Sequence, residues 1–263
     1  MSAKAAVLMY HAVSDETLDT SAADPHYTVG AHAFDQQLDA IAERGLRVAH
    51  CRAVLGAAGQ GKAVAFTFDD GHASNLWAAQ RLAARGWSAD FFVNPSTVGT
   101  AHYLSWGELR EMAAMGMSIQ SHGQHHRFLD ELEPADVAME LSRSKQEIEA
   151  HIGQPVRVYA PAGGRMARGM ESLARELGYE ILCTSRAGAW RVADSTRYAV
   201  PRLAMLAGTP MSQFLSWIEL RTGEMARQQL RYQLLSAAKG LLGNDGYRRL
   251  RSRLLGAGEG GHA

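Results

Sequence analysis

Residues Ala63–Gly71 read AVAFTFDDG, and this stretch decides the fold class. Val64, Phe66 and Phe68 alternate with Ala65 and Thr67, the period-two pattern of a β-strand. The run ends in two adjacent acids, Asp69 and Asp70, followed by Gly71, which lets the chain turn sharply. Neighbouring side chains at a strand end point in different directions. One acid can therefore bind a metal while the other faces a water beside it. The same residues also fit a plain strand-end turn with solvated acids.

Fifty residues on, Ser121–His126 read SHGQHH. Met117, Ile119 and Ser121 form a second short strand after a turn at Gly116, with His122 at its end and His125 and His126 close behind. Imidazole and carboxylate together suit zinc, and a catalytic zinc site takes three protein ligands and keeps a position open. Asp70, His122 and His126 would make such a set, with His125 competing with His126 for the third place.

Working outward, strands and helices alternate. Ala5–Tyr10 reads as a first strand, and Phe34–Arg44 as a helix with Phe34, Leu38 and Ile41 on one stripe. Helices are also predicted over Ser74–Arg85, from a Ser105 cap to Met115 with Glu108 completing a capping box, over Pro134–His151 and over Gly169–Leu177. Strands are predicted over Ser88–Asn94, Val156–Ala160, Glu180–Thr184 and Val200–Met205. This order argues an α/β fold with a mainly parallel sheet. In barrels of that kind the chemistry sits at the C-terminal ends of the strands. His11, Asp69, Asp70, His122 and Pro161 all fall at or just after such ends.

TFDDG followed by a strand-end H-x-x-x-H resembles the first two motifs of the polysaccharide deacetylases, the NodB-homology or carbohydrate esterase four family. The resemblance runs from about Ala5 to Leu206 and takes in LMYHAV near the start, ADFFVN at Ala89–Asn94, YAPAGG at Tyr159–Gly164 and VPRL at Val200–Leu203. It implies a distorted (β/α) barrel of seven or eight mainly parallel strands that acts as a metal-dependent N- or O-deacetylase. It also implies Asp69 as the base and Asp70, His122 and His126 as ligands of one divalent ion, with zinc expected. The amide of Ala162, within Pro161–Ala162–Gly163, would face the tetrahedral oxyanion.

The chain departs from that family in two places. The usual third motif has an arginine shortly before its Pro-x-Gly, and here Val158, Tyr159 and Ala160 stand there. Arg202 is expected to supply the missing charge beside Asp69 and keep it ionised, the alternative being a solvent-facing arginine. Many members also carry a late leucine-x-histidine motif, whereas the only histidine after Arg202 is His262. His11 is therefore the candidate general acid, with His125 as runner-up. Trp190, in AGAWRV, is a candidate wall against the sugar or the acetyl methyl, and Tyr103 and Trp106 are weaker ones.

Composition agrees with one barrel and a short extension: 263 residues, 46% hydrophobic. Lys plus Arg and Asp plus Glu both number 27, and a formally neutral chain gives no sign of a nucleic-acid partner. Cys51 and Cys183 read as reduced thiols without a disulfide framework. MSAKAAVLMYHAV leads straight into the first strand with no signal-peptide pattern, and no segment reaches about 18 apolar residues, so a cytoplasmic location is expected.

The barrel is expected over residues 1–220 and a basic helical extension with a flexible end over 221–263. Between Arg221 and Leu254 eight Lys or Arg stand against two acids. Leu230, Leu234, Leu235, Leu241 and Leu242 recur at near-helical spacing. Such helices could touch an anionic membrane surface or pack on the barrel. The substrate expected is an N-acetylated (or O-acetylated) sugar, an intermediate of exopolysaccharide or glycolipid synthesis. A non-catalytic carbohydrate-binding relative and an amidohydrolase on a non-sugar amide are the alternatives.

Overall fold

The computed structural model describes residues 3–15, 20–57, 59–230 and 232–233. Its centre is a strand pair: β1 (Lys4–Tyr10) lies parallel to β5 (Lys62–Phe68), in register from Lys4 opposite Lys62 to Tyr10 opposite Phe68. Three short strands come between them in the chain, β2 (Ala12–Ser14), β3 (Thr28–Gly30) and β4 (Arg47–Val48). After β5 follow β6 (Asp90–Val93), β7 (Ser118–Ser121), β8 (Val158–Tyr159), β9 (Ile181–Leu182), β10 (Trp190–Arg191) and β11 (Leu203–Ala204). The helices between and after them are α1 (Ala31–Glu43), α2 (Cys51–Gly56), α3 (Asn75–Ala83), α4 (Trp106–Ala114), α5 (Pro134–Ile152), α6 (Met170–Glu176) and α7 (Met211–Ile218).

The main sheet runs β10-β1-β5-β6-β7-β8-β9, with β11 also on β1 and β4 also on β5. Only β10 is antiparallel to its neighbour. The sheet curls back on itself. Cys183, just past β9, bridges Val200, and β11 pairs with β1 through Leu8 and Leu203. The outcome is the distorted, mostly parallel (β/α) barrel expected from the sequence.

Strand alternation sorts the core into two layers. One face of the central pair carries Ala6, Leu8, Tyr10, Val64, Phe66 and Phe68, which pack under the helices. There Phe68 stacks on Phe91 at 4.6 Å, and Tyr10 meets Phe34 of α1 edge-on at 5.3 Å. The other face carries Ala5, Val7, Ala63 and Ala65 and lines the barrel interior with Phe92, Cys51, Cys183 and Trp190. The same alternation puts Thr67 and then Asp69 on the interior side, at the C-terminal mouth. The backbone continues the ladder there, the Asp69 amide donating to the Tyr10 carbonyl at 2.9 Å.

The capping box of α4 forms as predicted, Ser105 Oγ accepting from the Glu108 amide at 3.2 Å and Glu108 Oε2 from the Ser105 amide at 2.7 Å. The strand expected over Val200–Met205 shortens to Leu203–Ala204, since Pro201 has no amide to give to a ladder. Within AGAWRV, Trp190 and Arg191 form β10, antiparallel to the start of β1. In the basic extension residues 222–230 are helical, and Met225 is buried in the helix-side core. Most of the extension, including Leu234, Leu235, Leu241 and Leu242, lies outside the described residues. Among the described residues no helix is long and apolar enough to cross a membrane.

Candidate active site

Strand ends gather the site. β5 delivers Asp69 and Asp70, β7 delivers His122, and β1 delivers His11. Asp69 turns inward and is 3% exposed. Arg202, 1% exposed, grips it with both ends of its guanidinium: Nη1 to Oδ1 at 2.6 Å and Nη2 to Oδ2 at 2.9 Å. Arg202 is itself fixed, its Nε donating to the Thr184 carbonyl at 3.0 Å and its Nη1 to Thr67 Oγ1 at 3.3 Å. The arginine expected in VPRL thus reaches Asp69, and the solvent-facing alternative is excluded. Burial raises the pKa of Asp69, but the Arg202 charge, with His122 behind it, outweighs that and holds the carboxyl below its ordinary range.

Asp70 turns the other way. Its φ of 74° is left-handed, as is the 56° of His126. For residues other than glycine such conformations cost about 1–3 kcal/mol and persist where the surroundings impose them. Gly71 follows with φ 72°, and a Cβ there would come within 3.0 Å of Val93 Cγ1, so the turn needs glycine twice over. The result is convergence. Asp70 Oδ1 lies 3.3 Å from His122 Nε2 and 3.2 Å from His126 Nε2. One ligand atom from each residue fits within 4.8 Å of the others.

The donor set fits a divalent ion. Asp70 Oδ1 is buried yet accepts no hydrogen bond from either nearby nitrogen. The three atoms converge on a common point instead of pairing off. His122 Nδ1 lies 2.6 Å from the Ala160 carbonyl, an acceptor, so Nδ1 carries the proton and Nε2 is the nitrogen free to ligate. Burial lowers the His122 pKa, but Asp69 and Asp70 more than offset it and lift the imidazole above its usual range. That negative field is the one a cation would occupy.

The loop between the histidines is pinned from behind. Asn94 donates to the carbonyls of His122 and Gly123 at 2.8 and 3.0 Å. His125 faces away from the cluster, its Nδ1 2.7 Å from Glu140 Oε1 while its amide donates to Glu140 Oε2 at 2.9 Å. Geometry therefore favours His126 over His125 as third ligand.

His11 lies against the Tyr27 ring, with centroids 4.6 Å apart. It lines a pocket with Asp24, Tyr27, Asp70, His72 and Tyr103. Burial pulls its pKa below the ordinary imidazole value against the opposing pull of Asp69 and Asp70. His72 of this pocket was not singled out from the sequence, although it directly follows the Asp69–Asp70–Gly71 turn. It is 4% exposed, with Nδ1 2.8 Å from Ser74 Oγ. Tyr103, a weaker sequence candidate, does line the pocket. Trp106 instead stacks on His151 at 4.1 Å.

Pro161 leads into a tight turn, Ala162–Gly164, directly after the Ala160 carbonyl that orients His122. Trp190 is a correction. It is fully buried in the barrel interior, at the end of β1 remote from His11, with Nε1 donating to Thr196 Oγ1 at 3.1 Å. It is a core residue and forms no wall against a sugar.

A model of the family described as Polysaccharide deacetylase matches residues 56–182. A Bacillus subtilis (strain 168) protein named "Putative polysaccharide deacetylase YxkH" is 30% identical over 159 residues. The match covers 60% of this chain and 57% of that relative's length. Among solved structures, Streptococcus pyogenes deacetylase PplD in complex with acetate superposes with a TM-score of 0.74 at 24% identity. It covers 83% of this chain and 99% of that one, a likeness of fold. IcaB from Ammonifex degensii superposes at 0.68 with 25% identity, covering 86% and 97%. Residues 56–182 thus match the polysaccharide deacetylase family model, and both Asp69–Asp70–Gly71 and His122–His126 lie inside that stretch, directly after β5 and β7.

Proposed function

We propose that this protein is a metal-dependent hydrolase that removes the N-acetyl, or O-acetyl, group of a carbohydrate. The observation that carries the reading is the pairing of two different carboxylates on one turn. Asp70 converges with two imidazoles on a cation position, while Asp69, one residue away, is held ionised by Arg202. A binding module has no use for a second carboxylate held charged beside a cation position.

When bound by Asp70, His122 and His126, a divalent ion, with zinc the expected one, would supply Lewis acidity to the acetyl carbonyl and acidify a water. The residues do the rest. Asp69 takes the proton of the attacking water. Arg202 keeps Asp69 oriented and negatively charged, so that it is ready as a base at neutral pH. The Ala162 amide, on a turn braced by Pro161 and Gly163, donates to the oxyanion. His11 gives a proton to the departing amine. Burial lowers the His11 pKa, so the proton it gives to the amine is the one lost by the attacking water, passed on from Asp69.

The substrate we propose is an acetylated amino sugar within an intermediate of exopolysaccharide or glycolipid synthesis. Contact of the basic extension with an anionic membrane surface belongs to the same proposal. Chelation tests the chemistry. Acetate release from an N-acetylated sugar should stop when the metal is stripped and return when a divalent ion is restored. Release that survives complete removal of metal would overturn it.

A further inference from the structure

Among the described residues Phe128 is the only exposed Phe, Tyr or Trp, at 36%. It stands two positions after His126. Its ring is held from two sides. The Arg165 guanidinium lies over it, 4.0 Å from the centroid. That guanidinium is anchored in turn by Asp130 at 3.3 Å and Glu131 at 2.5 Å. The ring edge comes down on Gly163, where a Cβ would lie 2.9 Å from Phe128 Cε1 and where φ is +59°. Phe128 therefore spans the gap between the His126 loop and the Ala162–Gly164 turn, at the rim of the site and not at its floor.

An aromatic ring left open to water but braced by a cation and a glycine is pre-organised, so little freedom is lost when something covers it. The face of a pyranose is a patch of C–H groups, apolar and slightly positive, which suits the negative face of an aromatic ring. We propose that Phe128 is a carbohydrate-stacking residue, receiving the pyranose next to the one that carries the acetyl group. This rests on the deacetylase reading above and deepens it.

The test uses the full chain, metal-loaded, with Asp69→Asn to stop turnover. Calorimetry measures binding of N-acetylglucosamine and of its β-linked pentamer, with Phe128 intact, Phe128→Ala and Phe128→Trp. The alanine variant should bind the pentamer about tenfold more weakly and the monomer unchanged, and the tryptophan variant should keep pentamer affinity. In the chain with Asp69 restored, Phe128→Ala should raise KM for the pentamer and leave kcat within about twofold. Unchanged pentamer affinity, or equal loss for monomer and pentamer, overturns the stacking role. If the parent chain releases acetate from the pentamer and Phe128→Ala is indistinguishable from it, the stacking assignment alone fails. If the parent releases none from either sugar, the deacetylase reading fails and this one with it.

Discussion

Replacing Arg202 with methionine leaves Asp69 buried without its partner. The arginine makes two charged bonds to Asp69, at 2.6 and 2.9 Å, and two more to Thr184 and Thr67. Its guanidinium also lies over Phe92 at 5.5 Å. Removing one member of a buried ion pair costs about 3–5 kcal/mol, because the other charge stays desolvated. Against a total stability of about 5–15 kcal/mol, that is a large share. Equilibrium denaturation of the full chain at neutral pH should show the loss. Adding Asp69→Asn to Arg202→Met removes the stranded charge and should recover roughly 2 kcal/mol or more, a coupling that a double-mutant cycle isolates. The sign with pH follows. In the parent, Asp69 has a lowered pKa, so the pair stabilises fully above the ordinary carboxylate value and its contribution fades as pH falls through the lowered one. In Arg202→Met the carboxyl is desolvated and its pKa rises, so acidification neutralises it early and the gap to the parent narrows. A loss under about 1 kcal/mol, or no recovery from Asp69→Asn, would refute the buried-pair account.

Other outcomes follow from the same geometry. His122→Ala should remove metal as measured by elemental analysis, and His126→Ala should lose more metal than His125→Ala, whose side chain is engaged with Glu140; the reverse order would move the third ligand. His11→Ala should keep its metal but lower amide turnover by on the order of a hundredfold or more. The loss should be smaller on nitrophenyl acetate, whose leaving group needs no proton; equal losses would give His11 a structural role. Trp190→Ala should destabilise the fold by about 3–5 kcal/mol yet leave KM of the folded enzyme unchanged; a selective rise in KM without loss of stability would restore it to the substrate site.

The candidate cluster is legible from sequence because its residues come as short motifs. Asp69 and Asp70 are adjacent, and His122 and His126 share one loop, so strand-end placement was enough to find them. The Arg202–Asp69 pair joins residues 133 positions apart. It was reached only by noticing that a charge was missing where the family carries one. Trp190 was misread for a packing reason. Alanines at 5, 63 and 65 leave room inside the barrel, and nothing local to AGAWRV announces that a tryptophan fills it. The six-residue α2 and the two-residue β4 and β10 are too short for periodicity to mark. The left-handed backbone of Asp70 and His126, at the cluster where Asp70, His122 and His126 converge, leaves no signature in residue type.

Asp69→Asn tests the central claim most directly. The parent and the variant should be loaded with the same metal, verified by elemental analysis, and acetate and free amine counted from an N-acetylated glycan. The account predicts equal metal content, one acetate per amine from the parent, and turnover lower by orders of magnitude in the variant, since an amide cannot take the proton of water. Near-parental turnover by metal-replete Asp69→Asn would contradict it.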